Sequence, residues 1–381
     1  MSPTPVTFVS PIAPVGYNWE ATDREVAERY GVPLEQILRF DLNTSPTPPE
    51  LATRILAGGR FITPLSEYPP ADYHDLIAAA ANRYGVAPEE LLVGAGADEV
   101  LDLLAKAFLP AGGKAVLPVP SYAMYRVLTE QRGASVVAVS RKGAEGGWAM
   151  DVDAVRAAAR DADLVWLCSP NNPTGLAEPD GAIAALLDGI TADAAAAGRP
   201  GPAVVLDEAY AEFVGRSLAG LRRTFPRLIV VRTVSKAYAL AGIRVGFAVA
   251  DATTIAAIAP YRPPGSVATT SVTVATAILA DDEAMRANLD RVAEERPRLT
   301  AALGAAGWTV FPSVTNFVLV DFGTIERVAS VADGLLGHGL VPRTFGRDHP
   351  LATMLRLTVR DRAGNERLAA AAGELAWEAS R

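Results

Sequence analysis

Thr233-Val234-Ser235-Lys236-Ala237-Tyr238-Ala239-Leu240-Ala241-Gly242-Ile243-Arg244-Val245-Gly246-Phe247 holds one lysine in a largely apolar run. A small hydroxyl residue precedes the lysine directly, and an arginine follows eight positions later. Upstream, Leu228-Ile229-Val230-Val231 reads as a buried strand. Burying an unpaired ammonium is expensive. Lys236 is therefore either an exposed residue at a strand end or a lysine whose nitrogen is engaged covalently, as lysines that anchor carbonyl cofactors are.

Two other apolar runs end in polar groups. Leu164-Val165-Trp166-Leu167-Cys168 leads into Ser169-Pro170-Asn171-Asn172-Pro173-Thr174-Gly175, and Val204-Val205-Leu206 leads into Asp207-Glu208-Ala209-Tyr210. An asparagine, an aspartate with a tyrosine, and a lysine with an arginine thus close three predicted strands in that order. Together these segments resemble the fold type I pyridoxal 5'-phosphate (PLP)-dependent aminotransferases, class I/II, and within them the histidinol-phosphate aminotransferase group. The resemblance runs from about Phe40 to the C-terminus. It implies PLP as cofactor and a homodimer that exchanges an amino group between a small amino donor and a keto acid.

The bulk properties agree with such an enzyme. With 381 residues the chain can build a large core and two domains. A net charge of −8 argues against nucleic acid, which needs a basic face. Cys168 is the only cysteine and falls in a predicted buried strand, so no internal disulfide is expected. The start, Met1-Ser2-Pro3-Thr4-Pro5, lacks the basic and apolar regions of a secretory signal. No apolar run approaches the roughly 18 residues of a membrane span. A cytoplasmic protein is the expectation.

Strands alternating with alanine-rich helical stretches, such as Asp151 to Arg160 and Pro179 to Ala197, predict an α/β fold. Its mainly parallel sheet should be covered by helices on both faces. This large PLP-binding domain is expected over residues 51–265. Residues 266–381 read as a smaller α+β domain, with Pro297 kinking or breaking a long helix. Residues 1–50, rich in proline around one helical piece near Asp23 to Arg29, read as an arm packing on the small domain. Ligands in such sheets bind at the carboxyl ends of the strands, where Asn172, Asp207 and Lys236 fall.

The resemblance assigns roles to single residues. Lys236 would hold the cofactor and then move the proton. Asp207 would keep the pyridine nitrogen protonated, and Tyr210 and Asn172 would bond the ring 3-oxygen. The turn Gly94-Ala95-Gly96-Ala97-Asp98 opens a predicted helix whose free N–H groups attract phosphate; Gly96, Ala97 and Asp98 would hold the cofactor phosphate there. Thr233, Ser235 and Arg244 would join them, since a guanidinium fork meets two phosphate oxygens at once. Tyr122, in Ser121-Tyr122-Ala123-Met124-Tyr125, matches the aromatic that stacks on the ring, worth about 0.5–1.5 kcal/mol beyond area. Tyr68 resembles the tyrosine that serves the partner subunit's cofactor phosphate.

On the substrate side, Arg356 resembles the arginine that clamps the carboxylate, with Asn316 and Arg343 nearby. Asn43-Thr44-Ser45-Pro46 stands where the histidinol-phosphate group carries Asn-Glu-Asn-Pro. Asn43 and Pro46 match and Thr44 and Ser45 do not, which unsettles the substrate more than the chemistry. Histidinol phosphate with 2-oxoglutarate is the first expectation. The alternatives are an aromatic amino-acid aminotransferase, a threonine-phosphate decarboxylase on the same scaffold, or a ligand sensor. The sensor would need a basic DNA-binding segment that the first 50 residues do not carry.

Overall fold

The structure, a computed structural model, describes residues 16–378. The first 15 residues of the expected arm, with Pro3, Pro5, Pro11 and Pro14, and the last three of the chain lie outside the described residues. In chain order the elements are α1 (Asp23–Tyr30), β1 (Leu38–Arg39), α2 (Glu50–Gly58), α3 (His74–Tyr84), β2 (Leu91–Gly94) and α4 (Gly96–Phe108). Then come β3 (Lys114–Val119), α5 (Ala123–Gln131), β4 (Ser135–Ser140), α6 (Val152–Ala159), β5 (Leu164–Cys168), α7 (Ala182–Ala196) and β6 (Ala203–Asp207). β7 (Leu228–Thr233), β8 (Gly246–Val249), α8 (Ala252–Ile258), α9 (Thr269–Leu279) and α10 (Asp282–Ala305) follow. The chain closes with β9 (Thr309–Val310), β10 (Phe317–Asp321), α11 (Ile325–Gly337), β11 (Leu340–Val341), β12 (Met354–Thr358) and α12 (Arg362–Glu378).

The large sheet runs β2-β8-β7-β6-β5-β3-β4. Its strands are parallel except β8, which is antiparallel to both β7 and β2. Every residue of β5, β6 and β7 is buried, as in strands covered on both sides. Alternate side chains feed two cores. Val165, Leu206 and Val230 pack with Leu76 of α3, Val155 of α6 and Leu186 of α7. Trp166, Val205 and Ile229 pack on the other face with Leu101 of α4, Leu128 of α5 and Ile258 of α8. Cys168 is one of the apolar residues of this second core. α9 sends Val272, Ala275 and Ile278 into the first core and packs on α2 and α3.

A second sheet, β12-β10-β9, is antiparallel and is covered by α10, α11 and α12 through Leu299, Leu335 and Leu368. The N-terminal segment joins this part of the molecule. β1 pairs in parallel with β11, Phe40 enters the core, and Val26 of α1 packs on Ile37 and Val341.

Pro297 does not break its helix: α10 spans 24 residues with the proline inside. Proline removes one backbone donor. Buried Leu299 and Leu303 hold the following turns, and Glu295 ties the helix to α12 by accepting from Arg362 Nε at 2.7 Å and Asn365 Nδ2 at 3.1 Å. Packing outweighs the local preference.

Candidate active site

The ends of β5, β6 and β7 open on a cleft of about 410 Å³ between the two sheets. Asp207, the last residue of β6, is buried there. Its carboxylate accepts from Tyr125 Oη at 2.7 Å and from the Ala209 backbone N–H at 2.9 Å. Burial pushes its carboxyl up to about 6, against the pull of those two bonds. Lys236 follows β7 and is half-buried; its Nζ donates to the carbonyls of Leu42 at 3.1 Å and Asn43 at 3.3 Å. Burial, and after it the charge of Arg356, brings its ammonium down to about 8.

At one end of the cleft the first turn of α4 meets Arg244. Gly96 has φ +80°, and a Cβ there would run into the Arg244 guanidinium. A Cβ on Gly246 would meet the Ala97 nitrogen at 2.5 Å. Only glycines allow β8, Arg244 and the helix start to approach this closely. Arg244 Nη2 donates to Asp98 at 3.2 Å, and Tyr122 Oη donates to the same carboxylate at 3.0 Å. Thr233 Oγ1 donates to Ser235 Oγ at 2.9 Å and accepts from the Ser235 backbone N–H at 3.1 Å. Ala97, Asp98, Thr233, Ser235 and Arg244 all line the cleft.

The opposite end is built by the second sheet and the residue 41–44 segment. Arg356 is buried. It donates from Nη1 to Asn172 Oδ1 at 2.6 Å and from Nη2 to the Asp41 carbonyl, while its Nε has no partner. Asn43 adopts φ 53°, and its Nδ2 donates to Tyr210 Oη at 3.0 Å. Asn316 is not in the cleft wall: it sits behind Asn43, donating to its carbonyl at 2.9 Å, with its own Oδ1 unpaired.

Two other expected residues stand away from this cleft. Tyr68 is 87% exposed beside Gly265 and touches none of its own chain's cleft. Arg343 lies outside the cleft wall, covered by the Tyr17 ring at 5.1 Å. Several residues of the site carry no motif. Tyr17 and Trp19, edge to face at 4.9 Å, line the cleft from a segment with no recognisable pattern. Tyr125 was visible as the helical i+3 neighbour of Tyr122, but nothing local aims its hydroxyl at Asp207. Asn288 of α10 donates to the carbonyls of Lys236 and Ala237 at 3.1 and 2.8 Å from a distant stretch of chain.

These residues fit PLP. A buried carboxylate with no ion-pair contact among the described residues suits a protonated ring nitrogen, and an amine brought to about 8 suits an aldehyde. A helix start with an arginine across it suits a phosphate. Strand-end lysine, strand-end acid and anion cradle on a mainly parallel sheet define a PLP-dependent enzyme. The chain belongs to the class I and II aminotransferases, whose family model matches residues 41–371.

Two curated relatives and one solved structure carry the name histidinol-phosphate aminotransferase. A histidinol-phosphate aminotransferase of Roseiflexus castenholzii is 36% identical over 84% of this chain and 85% of its own. One of Symbiobacterium thermophilum is 34% identical over 97% and 98%. The crystal structure of the Sinorhizobium meliloti histidinol-phosphate aminotransferase, in complex with PLP, superposes with TM-score 0.84 at 26% identity, covering 94% of this chain and 95% of that one. Among the described residues no helix is long and apolar enough to cross a membrane.

Proposed function

We propose that this transaminase draws its amino group from a ring-bearing donor with an anionic group near the amino-bearing carbon, histidinol phosphate in the first reading, and passes it to 2-oxoglutarate or another keto acid. Such a donor has a flat ring on one side of the amino-bearing carbon and an anionic group on the other. The observation that carries this reading is the pairing of Arg356, a buried guanidinium with no carboxylate on it among the described residues, with the aromatic wall of Tyr17 and Trp19. An aromatic amino acid is the second reading, and the engagement of Arg343 outside the cleft favours it.

PLP, when bound, supplies a carbonyl that takes the amino group and a ring that accepts the electron pair left at the donor's carbon. Lys236 would hold the group through its amine and would move the proton of the donor's carbon; an amine near pH 8 is suited to the task. Asp207 holds a proton at the ring nitrogen. Tyr210 and Asn172 line the cleft where they would hydrogen-bond the ring oxygen, and Tyr122 would stack on the ring. Gly96, Ala97, Asp98, Thr233, Ser235 and Arg244 bind the phosphate, Arg356 clamps the donor's anion, and Asn43 and Asn316 support the clamp.

Tyr68, exposed on its own chain, completes the phosphate site of a second copy in a homodimer working in the cytoplasm. Of the expected division into 1–50, 51–265 and 266–381, the second boundary is drawn after Leu279, because α9 packs into the core under the large sheet. The test is to mix the holoenzyme with a panel of amino donors and follow conversion of bound cofactor to its amine form, then to supply keto acids singly. Ring-bearing donors should convert it fastest; a preference for small aliphatic donors would sink the proposal.

A further inference from the structure

Arg343 and Arg356 oppose each other across an isolated antiparallel bridge, exchanging backbone hydrogen bonds at 3.1 Å in both directions. Residues so opposed put their side chains on the same face. Two guanidiniums therefore leave the chain side by side, and their environments differ. Arg356 meets neutral oxygens and keeps a free Nε. Arg343 is taken up by the strap at residues 17–20. Its Nη1 donates to the Asn18 carbonyl at 2.7 Å and stands 3.5 Å from the Glu20 carboxylate. Thr344 fixes that carboxylate through its backbone N–H at 2.8 Å and its hydroxyl at 2.9 Å. The Arg343 and Glu20 side chains are only 14% and 16% exposed.

We infer that Glu20 determines substrate specificity. By engaging Arg343 it leaves Arg356 as the one guanidinium, among the described residues, that lines the donor end of the cleft with no carboxylate on it, so the enzyme selects donors with a carboxylate on the amino-bearing carbon over donors with a phosphate ester on that side. The inference rests on the ring-bearing donor proposed above and decides between its two readings. A carboxylate carries one negative charge and is matched by one guanidinium fork. A phosphate monoester carries between one and two charges and a third oxygen, and it reaches further from the amino-bearing carbon. It calls for the second cation. Reaching Arg343 would bring it against Glu20, and like-charge contacts strongly disfavour a ligand.

Histidine and histidinol phosphate make a matched pair of probes, with one ring and two different anions; phenylalanine tests the ring separately. The rate of cofactor conversion is measured for each with the holoenzyme and with Glu20→Gln, whose amide oxygen still accepts from Thr344. In the unaltered enzyme histidine or phenylalanine should exceed histidinol phosphate by more than about tenfold in kcat/KM, the effect of one unfavourable charge contact. Glu20→Gln should move the histidine-to-histidinol-phosphate ratio toward the phosphate ester by about tenfold, and adding Arg343→Ala should cancel that gain. Preference of the unaltered enzyme for histidinol phosphate overturns the inference. So does an unmoved ratio in a Glu20→Gln protein that binds cofactor normally, and in that case the ring-bearing donor class stands. If no ring-bearing donor converts the cofactor in either protein, the donor class itself fails and the inference falls with it.

Discussion

Lys236 and Asp207 share one buried site and are pushed in opposite directions. The Lys236 ammonium comes down to about 8 and the Asp207 carboxyl goes up to about 6, with burial the first cause in both. Lys236→Ala should abolish the visible band of the lysine-bound cofactor and cut turnover by about 10⁴-fold, the upper range for removal of a general base; an unchanged spectrum and rate would refute its role. Asp207 also has a stability consequence in the cofactor-free protein. Its folded value lies above the ordinary carboxyl value of 3.8, so its favourable contribution is complete below pH 3.8 and is lost as pH rises through about 6. Asp207→Asn removes that charge. The cofactor-free variant should therefore be more stable than the parent at pH 7–8 by about 1–3 kcal/mol, with the difference vanishing below about pH 4. Thermal melts across this range read the effect, and turnover should be lost in the same variant.

At the level of elements, β7 and α10 hold the site in place by polar contacts with no motif of their own. Arg232 of β7 is buried between two carboxylates, donating to Glu208 at 3.1 Å and Glu212 at 2.7 Å, with its guanidinium 4.8 Å from the centre of the Tyr84 ring. Replacing one member of a buried ionic cluster strands the others. Arg232→Met should destabilise the protein by about 3–5 kcal/mol, read by denaturant unfolding; a change under about 1 kcal/mol would show that the cluster is not held as described. α10 contributes Asn288. Beyond its bonds to the Lys236 and Ala237 carbonyls, its Oδ1 accepts from Ser45 Oγ and from Arg291 Nη2, both at 2.9 Å. The residue thus ties the loop that carries the lysine to the very segment where Thr44 and Ser45 depart from the group pattern. Asn288→Ala should lower kcat by about 10-fold or more while leaving KM for the donor nearly unchanged, as expected when a catalytic group is misplaced and substrate contacts remain.

For the whole molecule, the described chain leaves Tyr68 exposed and its own cleft without it. In the proposed dimer, mixing inactive Lys236→Ala and Tyr68→Ala chains should recover about a quarter of the sites after random exchange, because each mixed dimer has one intact site of two. No recovery after exchange shown by mass would argue against shared sites.

The sequence by itself determined the strand ends and the order of their polar residues. The apolar runs ending at Cys168, Leu206 and Val231 are short, flanked by turn residues and rich in β-branched side chains, which is the pattern of strands buried on both faces. A parallel sheet then brings their carboxyl ends together. Periodicity also showed the glycine turn into α4. Other features had no local signal. Tertiary structure alone carried α10 through Pro297, since packing of Leu299 and Leu303 outweighs one missing backbone bond. It alone set Asn316 behind Asn43 and brought Tyr17 and Trp19 to the cleft. It also turned two arginines of similar sequence context into different things. Arg343 and Arg356 look alike along the chain, and only the return of the N-terminal strap, more than 300 residues away, gives one of them a carboxylate. Charges separated by that much chain meet through the fold, and a single sequence holds no term for their distance.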